Sequence, residues 1–288
     1  MILLCSIVYN KNMLLDPYKR PVSYLRVSVT DRCDFRCEYC MSENMTFLPK
    51  KDLLSLEELE RICISFINLG TTKIRITGGE PLVRKNVMNL FERLGSFIKT
   101  DKLKELTLTT NGSQLQKYAD ELYQYGVRRV NVSIDTLKPT LFSKLTRRGN
   151  LEQVLKGVNA AKEAGLKVKI NTVALKETNE YEIIDILKWA HSNDFDMTII
   201  ETMPLGEIDY DRTDQFLPLS KVKEDIQKIF TLEKSNHYTG GPSRYFNVKE
   251  TKNRVGFITP LTHNFCELCN RVRLTCTGKL YMCLGQED

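Results

Sequence analysis

Three cysteines fall within eight residues at Cys33, Cys37 and Cys40, separated by three and then two residues, with no fourth cysteine nearby. Four thiolates close a zinc or iron–sulfur site, whereas three thiolates on a cubane leave one iron without a protein ligand and open to another group. A second signal is Thr77-Gly78-Gly79-Glu80-Pro81, where the glycines would let a ligand come close to the backbone. A third is Cys266-x2-Cys269, followed by Cys276 and Cys283 across RVRLTCTGKLYMC. Two readings compete there. One is a zinc ribbon using all four thiolates. The other follows strand parity, which puts Cys276 on the face of Val272 and Leu274, away from Arg271, Arg273 and Thr275. Cys276 is then core, and Cys266, Cys269 and Cys283 hold a second cluster with an open iron.

Chemistry of that kind needs a frame. Strand-like runs begin at Leu25, Lys73, Glu105, Arg129, Lys167 and Asp196, with helix-like segments between them. Ser55 to Glu58 reads as a capping box ahead of LEELERICISFIN, and Gly70, Gly126 and Gly165 read as helix stops. Six such units imply parallel strands with right-handed crossovers. The expected fold is α/β, an incomplete (β/α)6 TIM-like barrel or open sheet with its site at the C-terminal ends of the strands. Several runs alternate where covered parallel strands would be uniformly apolar. Arg26, Ser28 and Thr30 oppose Leu25, Val27 and Val29; Lys73, Arg75 and Thr77 oppose Ile74 and Ile76. Thr107 and Thr109, then Asn131, Ser133 and Asp135, then Lys167, Lys169 and Asn171 repeat the pattern. If the apolar faces lie under the helices, the polar faces line a lumen that should hold an anionic ligand, because isolated buried charges are too costly. The plain alternative is an antiparallel sheet with one solvated face.

The 288 residues carry 42 basic and 36 acidic side chains, a formal charge of +6. Mean hydropathy is −0.30, and no apolar run is long enough for a spanning helix. MILLCSIVYN lacks a basic leader and a cleavage site, so residues 1–13 read as a variable extension and a cytoplasmic location is expected. Of nine cysteines, most fall into two tight clusters, which favours metal binding over disulfides. No basic stripe with interleaved aromatics argues for nucleic acid, and nothing argues for a membrane. His191, His237 and His263 are scattered and read as surface or local hydrogen-bonding residues.

The C-x3-C-x2-C motif after a first strand, with Tyr39 before its last cysteine, resembles the radical S-adenosylmethionine (SAM) superfamily. That resemblance implies SAM chelated by the open iron, with Tyr39, Gly79, Ser133 and Met203 at cofactor-binding positions. From about residue 14 to 288 the chain is similar to the GTP 3′,8-cyclase family of molybdenum-cofactor biosynthesis, through LRVSVTDRCDFRCEYC, KIRITGGEPLVR, LTTNG, VSIDTL, IETMP and FCELCNRVRLTCTGKLYMCLG. The family resemblance implies a radical SAM partial barrel over 14–215 and a small C-terminal iron–sulfur domain over 216–288, two 4Fe-4S clusters, and a second cluster on Cys266, Cys269 and Cys283. GTP is implied between the clusters, bound by Arg26, Arg75, Thr109, Lys169, Arg271 and Arg273, with Arg26, Arg271 and Arg273 also catalytic. The implied reaction is abstraction of the ribose C3′ hydrogen by a 5′-deoxyadenosyl radical and attack of C3′ on guanine C8, giving 3′,8-cyclo-7,8-dihydro-GTP. Implied partners are an external electron donor, a second copy in a homodimer, and the next enzyme of the molybdopterin pathway. Thr198 stands where many relatives carry arginine, so one anion contact is either absent or supplied by another residue. The family also runs on past Asp288 to a Gly-Gly tail that enters the active site, so the chain ending here is expected to bind cofactors but turn over poorly. Rival readings are a peptide-modifying radical SAM maturase and an iron–sulfur electron carrier.

Overall fold

The structure, a computed structural model, describes residues 13–16, 19–203, 212–262 and 270–282. Strands and helices alternate as β1 (Tyr24–Ser28), α1 (Leu56–Asn68), β2 (Lys73–Thr77), α2 (Val87–Lys99), β3 (Glu105–Thr110), α3 (Leu115–Gln124), β4 (Arg129–Ser133), α4 (Pro139–Thr146), α5 (Leu151–Glu163), β5 (Lys167–Ala174), α6 (Ile183–Ser192) and β6 (Asp196–Glu201). The chain continues through α7 (Leu219–Gln227), β7 (Leu232–Lys234), β8 (Arg244–Val248), β9 (Arg254–Ile258), β10 (Arg271–Leu274) and β11 (Leu280–Tyr281).

Local chemistry sets the elements. The Ser55 hydroxyl accepts from the Glu58 amide at 3.1 Å while the Glu58 carboxylate accepts from the Ser55 amide at 2.7 Å, so two of the amides that a helix start leaves unpaired are satisfied. Leu59, Cys63, Phe66 and Ile67 then fall on one buried face of α1. Gly70, Gly126 and Gly165 follow their helices at φ of 95°, 89° and 88°, the left-handed turn that ends a helix without a Cβ penalty.

The described strands form one open sheet in the order β11-β10-β1-β2-β3-β4-β5-β6-β9-β8-β7. Neighbours from β10 through β6 to β9 are parallel, and the margins are antiparallel. The parallel run of six therefore gains one strand at each margin, β10 beside β1 and β9 beside β6, both from the C-terminal segment. Leu25, Val27, Ile74, Ile76, Leu106 and Leu108 point outward into one continuous core with the helices, each contributing about 1.5–3 kcal/mol by leaving water. Lys73, Thr107, Asn131 and Lys169 on the inner face are buried as well. The inner face is thus a closed-in lumen, and the antiparallel alternative does not form. No helix among the described residues is long and apolar enough to cross a membrane.

Candidate active site

Cys33, Cys37 and Cys40 lie on the loop that leaves β1, and none is in a disulfide. The loop is fixed from several sides. The Arg36 and Glu38 amides donate to the Thr146 and Leu145 carbonyls at 2.9 Å, and Phe35 packs edge-on against Phe142. Arg36 Nη1 donates to the Cys33 and Phe35 carbonyls at 2.5 and 2.7 Å, its guanidinium 4.7 Å from the Phe47 ring centre. Asn111 Nδ2 and Ser113 Oγ, after β3, donate to the Asp34 carboxylate at 2.7 and 2.6 Å. Burial first, then the charges of Asp34, Glu80 and Cys40, push the Cys33 thiol up to about 12. Burial, Asp135 and the other two cysteines push Cys37 well above the usual thiol range. Thiols raised in this way become thiolates when cations sit among them. The Phe35 amide and Asn111 Nδ2, 3.4 and 3.8 Å from Cys33 Sγ, already point at that sulfur. Among the described residues no three His, Cys, Asp or Glu side chains converge on one metal ion. A cubane takes one thiolate at each of three corners, so its cysteines need not converge, and the donor set fits such a cluster.

A Cβ at Gly79 would stand 2.4 Å from the Arg32 carbonyl oxygen, and one at Gly78 2.7 Å from that of Thr30. The amides of Gly79 and Glu80 donate to the Thr30 and Arg32 carbonyls at 2.8 Å. The backbone of the cysteine loop itself makes a close approach to these glycines, and so requires that they lack side chains whatever else binds there. Glu80 is fully buried and accepts from Leu82 N (3.0 Å), Thr110 Oγ1 (2.8 Å) and Asn111 N (2.6 Å). Burial lifts its carboxyl to about 7 against those three hydrogen bonds. Tyr39 OH donates to Asp135 Oδ2 at 2.5 Å and Val173 N donates to Oδ1 at 2.8 Å; burial lifts Asp135 to about 6. Tyr39 thereby ties the cysteine loop to the end of β4. Gly79, Ser133 and Met203 stand at the C-terminal ends of β2, β4 and β6, the rim that the cysteine loop also occupies.

Inside the lumen, register sets the cations side by side. Arg26 pairs with Arg75 on one side and Arg273 on the other, and Tyr24 with Lys73 and Arg271. Tyr24 lies under three of them, its ring centre 4.8 Å from Lys73 Nζ, 5.7 Å from the Arg75 guanidinium and 5.9 Å from that of Arg271. Burial, then Arg273, lowers Arg26 to about 9, and burial lowers Arg75 and Lys169 too. Glu105 pairs with Lys73 Nζ at 2.6 Å and with Arg129. Lys169 Nζ donates to Tyr245 OH at 3.0 Å. Even so, Tyr24 OH, Arg26 Nε, Arg75 Nε, Thr109 Oγ1, Arg129 Nη1 and both polar atoms of Asn131 are buried without a hydrogen-bond partner. Buried polar groups are almost always paired, so such a group of orphans marks the place of a polar ligand. Glu105, Arg129, Tyr24 and Tyr245 were missed. The first two sit in phase with the lumen alternation at strand starts, so extending the parity by one step of two residues would have found them. Tyr24 lies just before the run that began at Leu25, and nothing in the sequence marks Tyr245, which arrives from the far margin.

Thr198 is fully buried and pairs in register with Asn171 and Gly256. Cys276 is buried, as are Val272 and Leu274. Cys266, Cys269, Cys283 and His263 lie outside the described residues. His191 takes the local hydrogen-bonding role rather than a surface one. It is buried, and Thr251 Oγ1 lies 2.7 Å from its Nδ1.

Residues 27–190 match the Radical SAM superfamily and residues 195–288 match Molybdenum Cofactor Synthesis C. A GTP 3′,8-cyclase of Rhizobium etli (strain CIAT 652) is 64% identical over 275 residues, covering 96% of this chain and 79% of that protein. One of Agrobacterium fabrum is 60% identical over 283 residues, covering 98% and 81%. Among solved structures, Streptococcus suis SuiB bound to S-adenosylmethionine superposes with a TM-score of 0.62 at 19% identity, over 92% of this chain and 62% of SuiB. At that identity the likeness is one of fold.

Proposed function

This chain belongs to the GTP 3′,8-cyclase family of radical SAM enzymes in molybdenum-cofactor biosynthesis, and from that premise we propose how its residues share the work. It is an enzyme that uses SAM and an iron–sulfur cluster, with GTP as its substrate. Cys33, Cys37 and Cys40 hold the cluster, with SAM along the rim at Tyr39, Gly79, Ser133 and Met203. Bound there, the pair supplies one-electron cleavage of the sulfonium and a radical able to take hydrogen from ribose C3′. The protein's own part is to place that carbon and exclude other hydrogen donors.

The cation-lined lumen does the placing. Arg26, Arg75, Thr109 and Lys169 present their donors to the triphosphate, arginine in planar pairs and lysine as a point charge. Arg271 and Arg273 on β10 reach the nucleotide from the other margin. With Arg26 they hold the base so that C8 faces C3′ and the new bond forms within one nucleotide. A second cluster on Cys266, Cys269 and Cys283, the division at about residue 215, a homodimer, an external electron donor, hand-over to the next enzyme of the pathway and a cytoplasmic site belong to the same proposal. The observation that carries it is the set of buried donors without partners below a loop of three cysteines.

The test is to load the protein with its clusters anaerobically, add SAM, reductant and GTP deuterated at C3′, and read deuterium in 5′-deoxyadenosine by mass spectrometry. Transfer is expected. Deoxyadenosine that forms with or without GTP and carries no deuterium would overturn the reading.

A further inference from the structure

We propose that the β7–β8 loop, residues 239–243, is the subsite for the terminal phosphoryl group, with the Ser243 hydroxyl as its donor; this rests on the reading that the triphosphate of GTP lies in the lumen. Ser243 is 8% exposed and its Oγ is buried without a hydrogen-bond partner. Nothing about β8 as a strand requires a hydroxyl there.

Its direction follows from Gly256. That residue pairs with Thr198 of β6 and Tyr245 of β8, on the lumen face. A Cβ on Gly256 would stand 2.2 Å from Ser243 Oγ and 2.8 Å from Tyr245 Cε1. The hydroxyl therefore occupies the lumenal space that glycine leaves open.

What surrounds the loop selects an anion. Lys169 Nζ donates to Tyr245 OH at 3.0 Å, and Thr239 Oγ1 is 3.4 Å from the same phenol oxygen. From β2, Lys73 Nζ donates to the Thr239 carbonyl at 2.5 Å. Gly240, at φ 68°, keeps the chain close to Lys73 and Tyr24; a Cβ there would be 3.8 Å from Lys73 Nζ. Lys73 is also paired with Glu105 at 2.6 Å, but an unpaired hydroxyl beside a loop flanked by two ammonium groups still calls for an acceptor, and phosphate is the one this nucleotide brings. Lys73 and Tyr24 are the first residues of β2 and β1, whereas the cysteine loop follows the last residue of β1. The loop thus floors the end of the lumen farthest from the cluster, where the last phosphoryl group of a chain of three arrives. It also lies beside Thr198 and so supplies an anion contact next to that neutral residue.

The experiment compares wild type, Ser243→Ala and Gly256→Ala, each loaded with cluster and SAM, by the Kd for GTP, GDP and guanosine and by melting temperature without nucleotide. Ser243→Ala should weaken GTP about tenfold, the worth of one hydrogen bond to a charged group, and leave GDP unchanged. It should also melt about 2 °C or more higher without nucleotide, because an unsatisfied buried hydroxyl is gone. A purely structural serine would shift melting downward instead. Gly256→Ala, which pushes the hydroxyl aside, should reproduce the GTP-selective loss. GTP and GDP weakening alike in Ser243→Ala, or neither weakening, overturns the subsite alone. A wild-type protein that binds GTP no better than guanosine overturns the lumen reading and the subsite with it.

Discussion

Apart from Asp31 Oδ1 and Arg36 Nε, which are unpaired at the rim, the rim and the interior of this lumen treat buried polar groups in opposite ways. At the rim, Glu80, Asp34 and Asp135 are carboxylates whose oxygens are taken by donors from the protein: three for Glu80, three for Asp34 with the Cys33 thiol among them, and two for Asp135. In the interior, arginine, threonine and asparagine atoms are buried with nothing to bond. An unpaired buried polar atom costs free energy that a folded protein ordinarily avoids. The contrast therefore separates scaffold from binding surface: satisfied groups hold the cysteine loop in place, and unsatisfied groups wait for ligand atoms.

Arg75→Ala should break the interior half most severely. Its guanidinium lies between Arg26 and Thr107 in register and above Tyr24, with Nε unpaired. GTP affinity should fall about tenfold to hundredfold, the range for hydrogen bonds to a charged partner. The nucleotide-free protein should melt no lower, because one of several mutually repelling buried cations is gone. Calorimetric titration and a thermal melt on the same sample read both. A lower melting temperature with unchanged GTP affinity would make Arg75 scaffold instead.

Glu80→Gln is the mirror case at the rim. An amide in that pocket faces three donors with one acceptor oxygen, so stability should fall by about 1–3 kcal/mol while GTP affinity stays constant. Because Glu80 links the Gly78-Gly79 turn to Thr110 and Asn111, the cluster loop should lose iron faster under chelator. A large change in GTP affinity would dissolve the distinction between rim and interior.

The third test uses pH. Burial lowers the Lys73 ammonium from 10.5 to about 8 despite Glu105. Between those values the unfolded chain holds more protons than the folded one. Stability from this group therefore rises with pH from about 8 upward and is absent below it. Binding runs the other way. Below about 8 the charge that phosphate needs is present, and above it each pH unit should raise the GTP Kd by up to about tenfold. Lys73→Arg keeps its charge and should flatten that rise. Burial raises the Tyr245 phenol, but Lys169 and its hydrogen bonds bring it down to about 7, so Tyr245→Phe separates the second titration. A flat profile in the wild type would remove Lys73 from the nucleotide's path.

Much of this arrangement was legible because period and spacing are local. The alternation of Arg26, Arg75, Thr109, Asn131 and Lys169 with apolar neighbours is a property of strands a few residues long, and the cysteine spacing lies within one loop. What escaped depends on distant pairing. That β10 joins β1 and β9 joins β6 is written in no short pattern, so Tyr245, Ser243 and the neighbourhood of Thr198 stayed invisible. At Gly79 the cysteine-loop backbone is a neighbour that spacing could not announce, since glycine permits close approach without naming what approaches.

The finest form of the comparison lies in two adjacent residues of β3. Thr109 Oγ1 is buried with no partner. Thr110 Oγ1 donates to Glu80 Oε1 at 2.8 Å and accepts from Gly112 N at 3.0 Å. Valine replaces either hydroxyl with a methyl of similar size, so packing changes little and the hydrogen bonding is isolated. Thr110→Val should cost about 1 kcal/mol or somewhat more, because it leaves the Gly112 amide and a Glu80 oxygen each one partner short, and should leave GTP affinity alone. Thr109→Val should stabilise the nucleotide-free protein slightly and weaken GTP several-fold, by about 1 kcal/mol. Opposite signs in melting temperature from the same substitution at neighbouring positions would follow only if one hydroxyl serves the fold and the other the nucleotide. If both variants melt lower, the unpaired atoms of the interior find partners within the protein, and the division between rim and interior fails where it is most sharply drawn.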